Sequence, residues 1–148
     1  MVRKIYLAGA MAGLPYAEQM RIRYAIIAAI SLYMAKHDTQ YTPLFINPVD
    51  YYTFEDNPNE EPSYDSPREV MDFDLDRVRE SDLIISDLTY DKSMGTMAEM
   101  AISYDRGIPV IGYMEEEKDI HDWQKCFCRR IFTDLEKLAK YVCEFYLN

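Results

Sequence analysis

Short apolar runs alternate along the chain with longer stretches in which apolar residues recur every three or four positions. Residues 4 to 8 form the first run and stop at Gly9, as a buried strand stops at a loop. Beyond the loop from Gly9 to Pro15, the residues Met20, Tyr24, Ile27, Ile30 and Met34 predict an amphipathic helix from about Ala17 to Lys36. Leu44-Phe45-Ile46 is a second strand, ended by Asn47-Pro48. Ser66 as a cap, Pro67 in the first position and Glu69 at the capping-box position open a second helix, running to about Ser81. Residues 83 to 87 form a third strand. After a loop, Met97, Met100, Ala101 and Tyr104 give a third helix closed by Gly107. Residues 108 to 113 read as a fourth strand with Pro109 near its start, where it is tolerated. A charged loop spans 115 to 122, and a fifth strand is expected somewhere near Cys128 to Phe132. Thr133-Asp134-Leu135-Glu136 then opens a last helix with a capping box, carrying Leu138, Val142 and Phe145 on one face.

Strands alternating with helices imply a parallel sheet covered on both faces. The expected fold is α/β: a flavodoxin-like or Rossmann-like doubly wound parallel sheet of four to five strands flanked by helices. One domain over residues 1–148 accounts for the length. Residues 50 to 66, rich in Asp, Glu, Asn, Pro and Tyr, read as one long loop, either a cover over a site or a plain surface excursion.

Composition narrows the partners. With 16 Lys and Arg against 26 Asp and Glu, the net charge of −10 disfavours a nucleic-acid polymer, whose phosphates need clustered cations. A mononucleoside or mononucleotide remains open, since a pocket has its own local field. Cys126, Cys128 and Cys143 form no disulfide or zinc pattern, and the first apolar run is too short for a signal peptide or a membrane span. A soluble cytoplasmic protein with no membrane association is the expectation.

The candidate chemistry centres on Ser93-Met94-Gly95-Thr96-Met97-Ala98-Glu99, which joins the third strand to its helix. In open α/β sheets, ligands bind outside the carboxyl ends of the strands. Tyr6, Asp87, Ser93 and Glu99 are therefore candidates for one crevice. Thr96 and Glu99 also fit a capping box, which would give Glu99 a purely local role in the helix's first turn. On the second helix, Asp72 and Asp76 share a face and Asp74 points elsewhere. Two carboxylates in unlike surroundings can divide the roles of acid and nucleophile; carboxylates beside Arg77 and Arg79 can equally form a solvated surface.

Ile5-Tyr6-Leu7-Ala8-Gly9, Asp74-Leu75 followed by Ser81-Asp82, the Ser93–Glu99 segment and Gly107-Ile108-Pro109-Val110, in this order and separation, resemble the nucleoside 2-deoxyribosyltransferase family over roughly residues 4 to 113. The resemblance implies that Glu99 is the nucleophile, that Asp74 protonates the departing base and activates the incoming one, and that Tyr6 orients the Glu99 carboxylate. Gly9, Asp87, Ser93 and Gly95 would bind substrate. It further implies a 2'-deoxynucleoside and a free purine or pyrimidine base as partners, no cofactor or metal, and a homo-oligomer with shared active sites.

Three features depart from the family pattern. Ser93 stands where the transferases commonly carry an acidic residue, and there resembles the related 2'-deoxynucleoside 5'-monophosphate N-glycosidases. Ala10-Met11-Ala12 lacks the Ser and Arg with which those hydrolases grip phosphate. The Asn and Met that a neighbouring subunit contributes in the transferases have no assigned counterpart between Trp123 and Arg130. Hydrolysis of a deoxynucleoside monophosphate is thus the alternative activity, and a non-catalytic nucleotide-binding module a third reading. A phosphoacceptor receiver domain is set aside, because no acidic pair follows the first strand.

Overall fold

The computed structural model describes residues 2–39, 41–51 and 66–148; the expected long loop lies mostly outside them. Among the described residues, the strands β1 (Lys4–Ala8), β2 (Leu44–Ile46), β3 (Leu83–Asp87), β4 (Val110–Tyr113) and β5 (Arg130–Phe132) form one all-parallel sheet in the order β2-β1-β3-β4-β5. This is the flavodoxin-like strand order. The central strands are continuous apolar runs because both faces are covered. On one face Ile5, Leu7, Leu83, Ile85 and Ile111 pack under helices α1 (Tyr16–Lys36) and α5 (Leu135–Tyr146), which also pack on each other. On the other, Tyr6, Ala8, Ile84 and Val110 meet Val78 of α2 (Pro67–Arg79) and Met100 of α3 (Met94–Asp105). The alternation of side chains along β1 thus sends Tyr6 to the α2–α3 face.

Several elements differ from the sequence-based expectation. In α1 the inward stripe is Ile22, Ile26, Ile30 and Met34, and Tyr24 is turned out with 51% of its surface exposed. Ser93, not Thr96, caps α3, accepting a hydrogen bond from the Thr96 N–H at 3.2 Å. Glu99 therefore lies beyond the first turn and takes no part in a capping box. Asp134 rather than Thr133 caps α5, its carboxylate accepting from the Lys137 N–H. Phe145 leaves the core face, 69% exposed, and packs on Tyr141. A short helix α4 (Asp122–Phe127) stands at the end of the expected charged loop, with the His121 ring accepting from the Trp123 N–H. Two turns are too few for a period to show in the sequence. The turn after α3 is Gly107, whose φ of +73° is the left-handed conformation glycine adopts without strain.

Candidate active site

The strand order reverses between β1 and β3, because the chain runs outward to β2 from one and to β4 from the other. The crevice at this switch point is where the fold offers a ligand site. Three sequence-predicted residues meet beside it: Tyr6 on β1, Asp74 on α2 and Glu99 on α3, each within electrostatic reach of the other two. The helices bring them together because α2 and α3 pack side by side on the face that receives Tyr6. Asp72 and Asp76 are not part of the cluster. They are exposed and paired with Arg68 at 2.9 Å and Arg79 at 3.0 Å, the solvated helix face that sequence spacing also allowed.

The surroundings of Glu99 suppress its charge. Burial first, and then the neighbouring Asp74 carboxylate, push its pKa up to about 8, against the opposing pull of Arg23 and the Tyr6 hydroxyl. Although part of the residue reaches solvent, Oε2 is buried and has no hydrogen-bond partner among the described residues. The Tyr6 hydroxyl is near enough to favour the carboxylate form, yet it does not meet hydrogen-bond geometry with any described group. The same burial and the two carboxylates hold the Tyr6 phenol well above its ordinary pKa. Tyr6 is thus a neutral phenol beside Glu99.

Sequence reasoning missed Arg23. Only 2% of its surface is exposed, and its guanidinium donates to the carbonyls of Gly9 at 2.7 Å, Gln19 at 2.8 Å and Leu7 at 3.4 Å. The signal was its position, three residues before Ile26 and seven before Ile30 on the inward stripe of α1. Gly9 fits this arrangement: a Cβ there would lie 3.2 Å from Arg23 Nη2 and 3.2 Å from Asp87 Cβ. Asp87 is buried, its Oδ1 accepting from the Thr89 N–H at 3.0 Å. Burial raises its pKa, while Thr89 and then Arg23 counter the rise.

Ser93 and Gly95 line a neighbouring cleft of about 620 Å³, with Ala10, Met11, Lys92 and Lys118. Glu99 and Asp74 lie outside that lining. Ser93 Oγ is engaged by the Thr96 N–H and by Thr96 Oγ1 at 3.0 Å, and Lys118 is paired with Asp91 at 2.9 Å. Among the described residues no group of three or more His, Cys, Asp or Glu side chains could hold a metal ion. No described helix is long and apolar enough to cross a membrane.

A family model described as nucleoside 2-deoxyribosyltransferase matches residues 5–140. The chain belongs to the nucleoside 2-deoxyribosyltransferase family. This is a family of enzymes that transfer glycosyl groups or cleave N-glycosidic bonds. Solved structures of similar shape include a 2-deoxyribosyltransferase from Bacillus psychrosaccharolyticus, with a TM-score of 0.67 and 19% identity over 93% of this chain and 91% of that one. A 2-desoxiribosyltransferase from Leishmania mexicana has a TM-score of 0.60 and 16% identity, covering 98% and 99%. The CMP N-glycosidase of Clostridium botulinum has a TM-score of 0.56 and 16% identity, covering 97% and 99%. At these identities the likeness is one of fold. No curated protein matches the chain in sequence.

Proposed function

We propose that the protein is a nucleoside 2-deoxyribosyltransferase, which moves 2-deoxyribose from one base to another as nucleotide salvage requires. The observation that carries this reading is the meeting of Glu99, Asp74 and Tyr6 beside the β1–β3 crevice, with Glu99 pushed up to about 8. Two interacting carboxylates titrate as a pair. Between their two ionisations the pair holds one proton, and the reactive arrangement has that proton on Asp74 and the charge on Glu99.

From there Glu99 attacks the anomeric carbon of a 2'-deoxynucleoside. The N-glycosidic bond breaks, its electrons go to the base nitrogen, and Asp74 delivers the proton that lets the base leave neutral. The sugar is held as an ester on Glu99, which splits one difficult displacement into two easier ones. A second base, deprotonated by Asp74, attacks the same carbon and releases Glu99. Tyr6 donates toward Glu99 and fixes its line of attack. Gly9 and Asp87 shape the crevice wall, and Ser93 and Gly95 face the sugar's 5' end from the start of α3. The steps need no cofactor.

A second reading, hydrolysis of a 2'-deoxynucleoside 5'-monophosphate, is favoured by Ser93, Lys92 and Lys118 around the 620 Å³ cleft. An anion suits the first turn of a helix.

The exposed face of α3 supports a homo-oligomer. Met94 is 88% and Trp123 67% exposed. With Met97, Ala98, Ala101 and Phe127 they line an apolar groove of about 780 Å³ that shares Ser93 and Met94 with the cleft. A second copy seated there would border the site, as shared active sites require. Three free thiols suit a reducing compartment, the cytoplasm.

Chromatography of a deoxynucleoside with and without a second free base, beside the matching 5'-monophosphate, tests the reading. A new nucleoside that appears only with the second base is the expected result. Free base and deoxyribose phosphate from the monophosphate, with no exchange product, would replace transfer by hydrolysis.

A further inference from the structure

Arg23 is a buried cation, and among the described residues no carboxylate is hydrogen-bonded to it. Its guanidinium spends its donors on backbone carbonyls, those of Leu7, Gly9 and Gln19 and, at 3.5 Å, Ala10. Leu7, Gly9 and Ala10 span the carboxyl end of β1 and the first residues of the crevice wall. Burial pushes the Arg23 pKa down, and the carboxylates that oppose this are Asp87, then Glu99 and Asp74. Moving a cation from water into a protein interior is costly unless its surroundings compensate. A chain that needed only to hold its backbone together would fill the site more cheaply with an apolar or amide side chain.

We propose that Arg23 is a positioning residue for the transfer reaction: its guanidinium clamps the end of β1 and supplies the fixed positive charge against which Glu99 becomes the attacking carboxylate. This rests on the proposed role of Glu99. The geometry explains why position 9 is glycine, since a side chain there would meet the guanidinium at 3.2 Å, within the space its Nη2 needs to reach the Gly9 carbonyl. It also accounts for the ionisable groups around Glu99: Tyr6 on β1, Asp74 on α2 and Arg23 on α1, of which Arg23 is the cation. Glu99 is displaced upward by burial and Asp74, so without Arg23 the carboxylate would form at still higher pH. Lysine is no equivalent, because a single ammonium cannot fork between the Gly9 and Gln19 carbonyls.

The test is direct titration of Glu99 by carboxyl carbon-13 NMR in the substrate-free protein. Glu99→Gln assigns the resonance, and Arg23→Lys and Arg23→Gln are the variants. Removing a nearby opposite charge is expected to raise the Glu99 midpoint by about one pH unit in Arg23→Gln, with Arg23→Lys between it and the parent. In base exchange, kcat should fall in both variants with KM little changed. If Arg23→Gln does not fold, Arg23→Met, likewise uncharged, carries the test with the same rise expected. A Glu99 midpoint unmoved in a folded uncharged variant overturns the proposal. The titration uses no substrate, so a protein that exchanges no bases would overturn the proposed function while leaving the Arg23–Glu99 coupling measured.

Discussion

Replacing Asp74 with asparagine removes two things at once, an acid and a negative charge, and two substrates separate them. With a natural nucleoside the base must be protonated as it leaves, and asparagine cannot supply the proton. Loss of a general acid lowers the rate by about 10²- to 10⁴-fold. With a 2-deoxyriboside of nitrophenol the leaving group departs as a stable anion, and only the Glu99 carboxylate matters. Asp74 is the largest charge raising Glu99 to about 8. At pH 7 a carboxyl of that pKa is about one-tenth ionised. Taking away a neighbouring like charge lowers it by about one unit, to half ionised, so the nitrophenyl substrate should react about fivefold faster in Asp74→Asn than in the parent at pH 7. The assay is release of nitrophenolate by absorbance from pH 5.5 to 9, beside base release from a natural deoxynucleoside. Equal loss on both substrates would refute the assignment of Asp74 as the acid.

Two further outcomes follow from the same geometry. The folded Glu99 is raised from 4.5 to about 8, so the native state keeps a proton that the unfolded chain releases. The stability this group contributes is complete below pH 4.5 and is lost as the pH rises toward 8. Glu99→Gln, neutral throughout, should match the parent's unfolding free energy near pH 4.5 and exceed it at pH 8.5 by on the order of a few kcal/mol in denaturant melts; a pH-independent difference would contradict the buried, displaced carboxyl. Trp123→Glu puts a charge in the apolar α3–α4 groove and should convert an oligomer to monomers in sedimentation velocity. An unchanged species distribution would place the interface elsewhere.

The strands and most helices were legible because each carries a strong local signal. Leu44–Ile46 and Leu83–Asp87 are short apolar runs between polar breaks, and Ser66-Pro67 is a start signal that the structure uses, Ser66 Oγ accepting from the Glu69 N–H at 3.3 Å. Helix α4 was not legible, since it is two turns long and its Trp123 faces outward, marking a surface rather than a core. At the site, the positions of Tyr6, Asp74 and Glu99 on three elements could be proposed only through the order of the motifs. Their proximity depends on α2 packing on α3, which no local pattern encodes. Arg23 escaped for a different reason. A charged residue on an amphipathic helix is read as solvated, and the carbonyls of Leu7, Gly9 and Ala10 that receive it belong to the end of β1 and the loop after it, 13 to 16 residues earlier in the chain.

The measurement that bears most directly on the account is mass spectrometry of the protein mixed with a deoxynucleoside alone and quenched in acid. A 2-deoxyribosyl group is expected on the peptide containing Glu99, lost when a second base is added before the quench. Turnover of the nucleoside with Glu99 never modified, or with the sugar on a different residue, would contradict it.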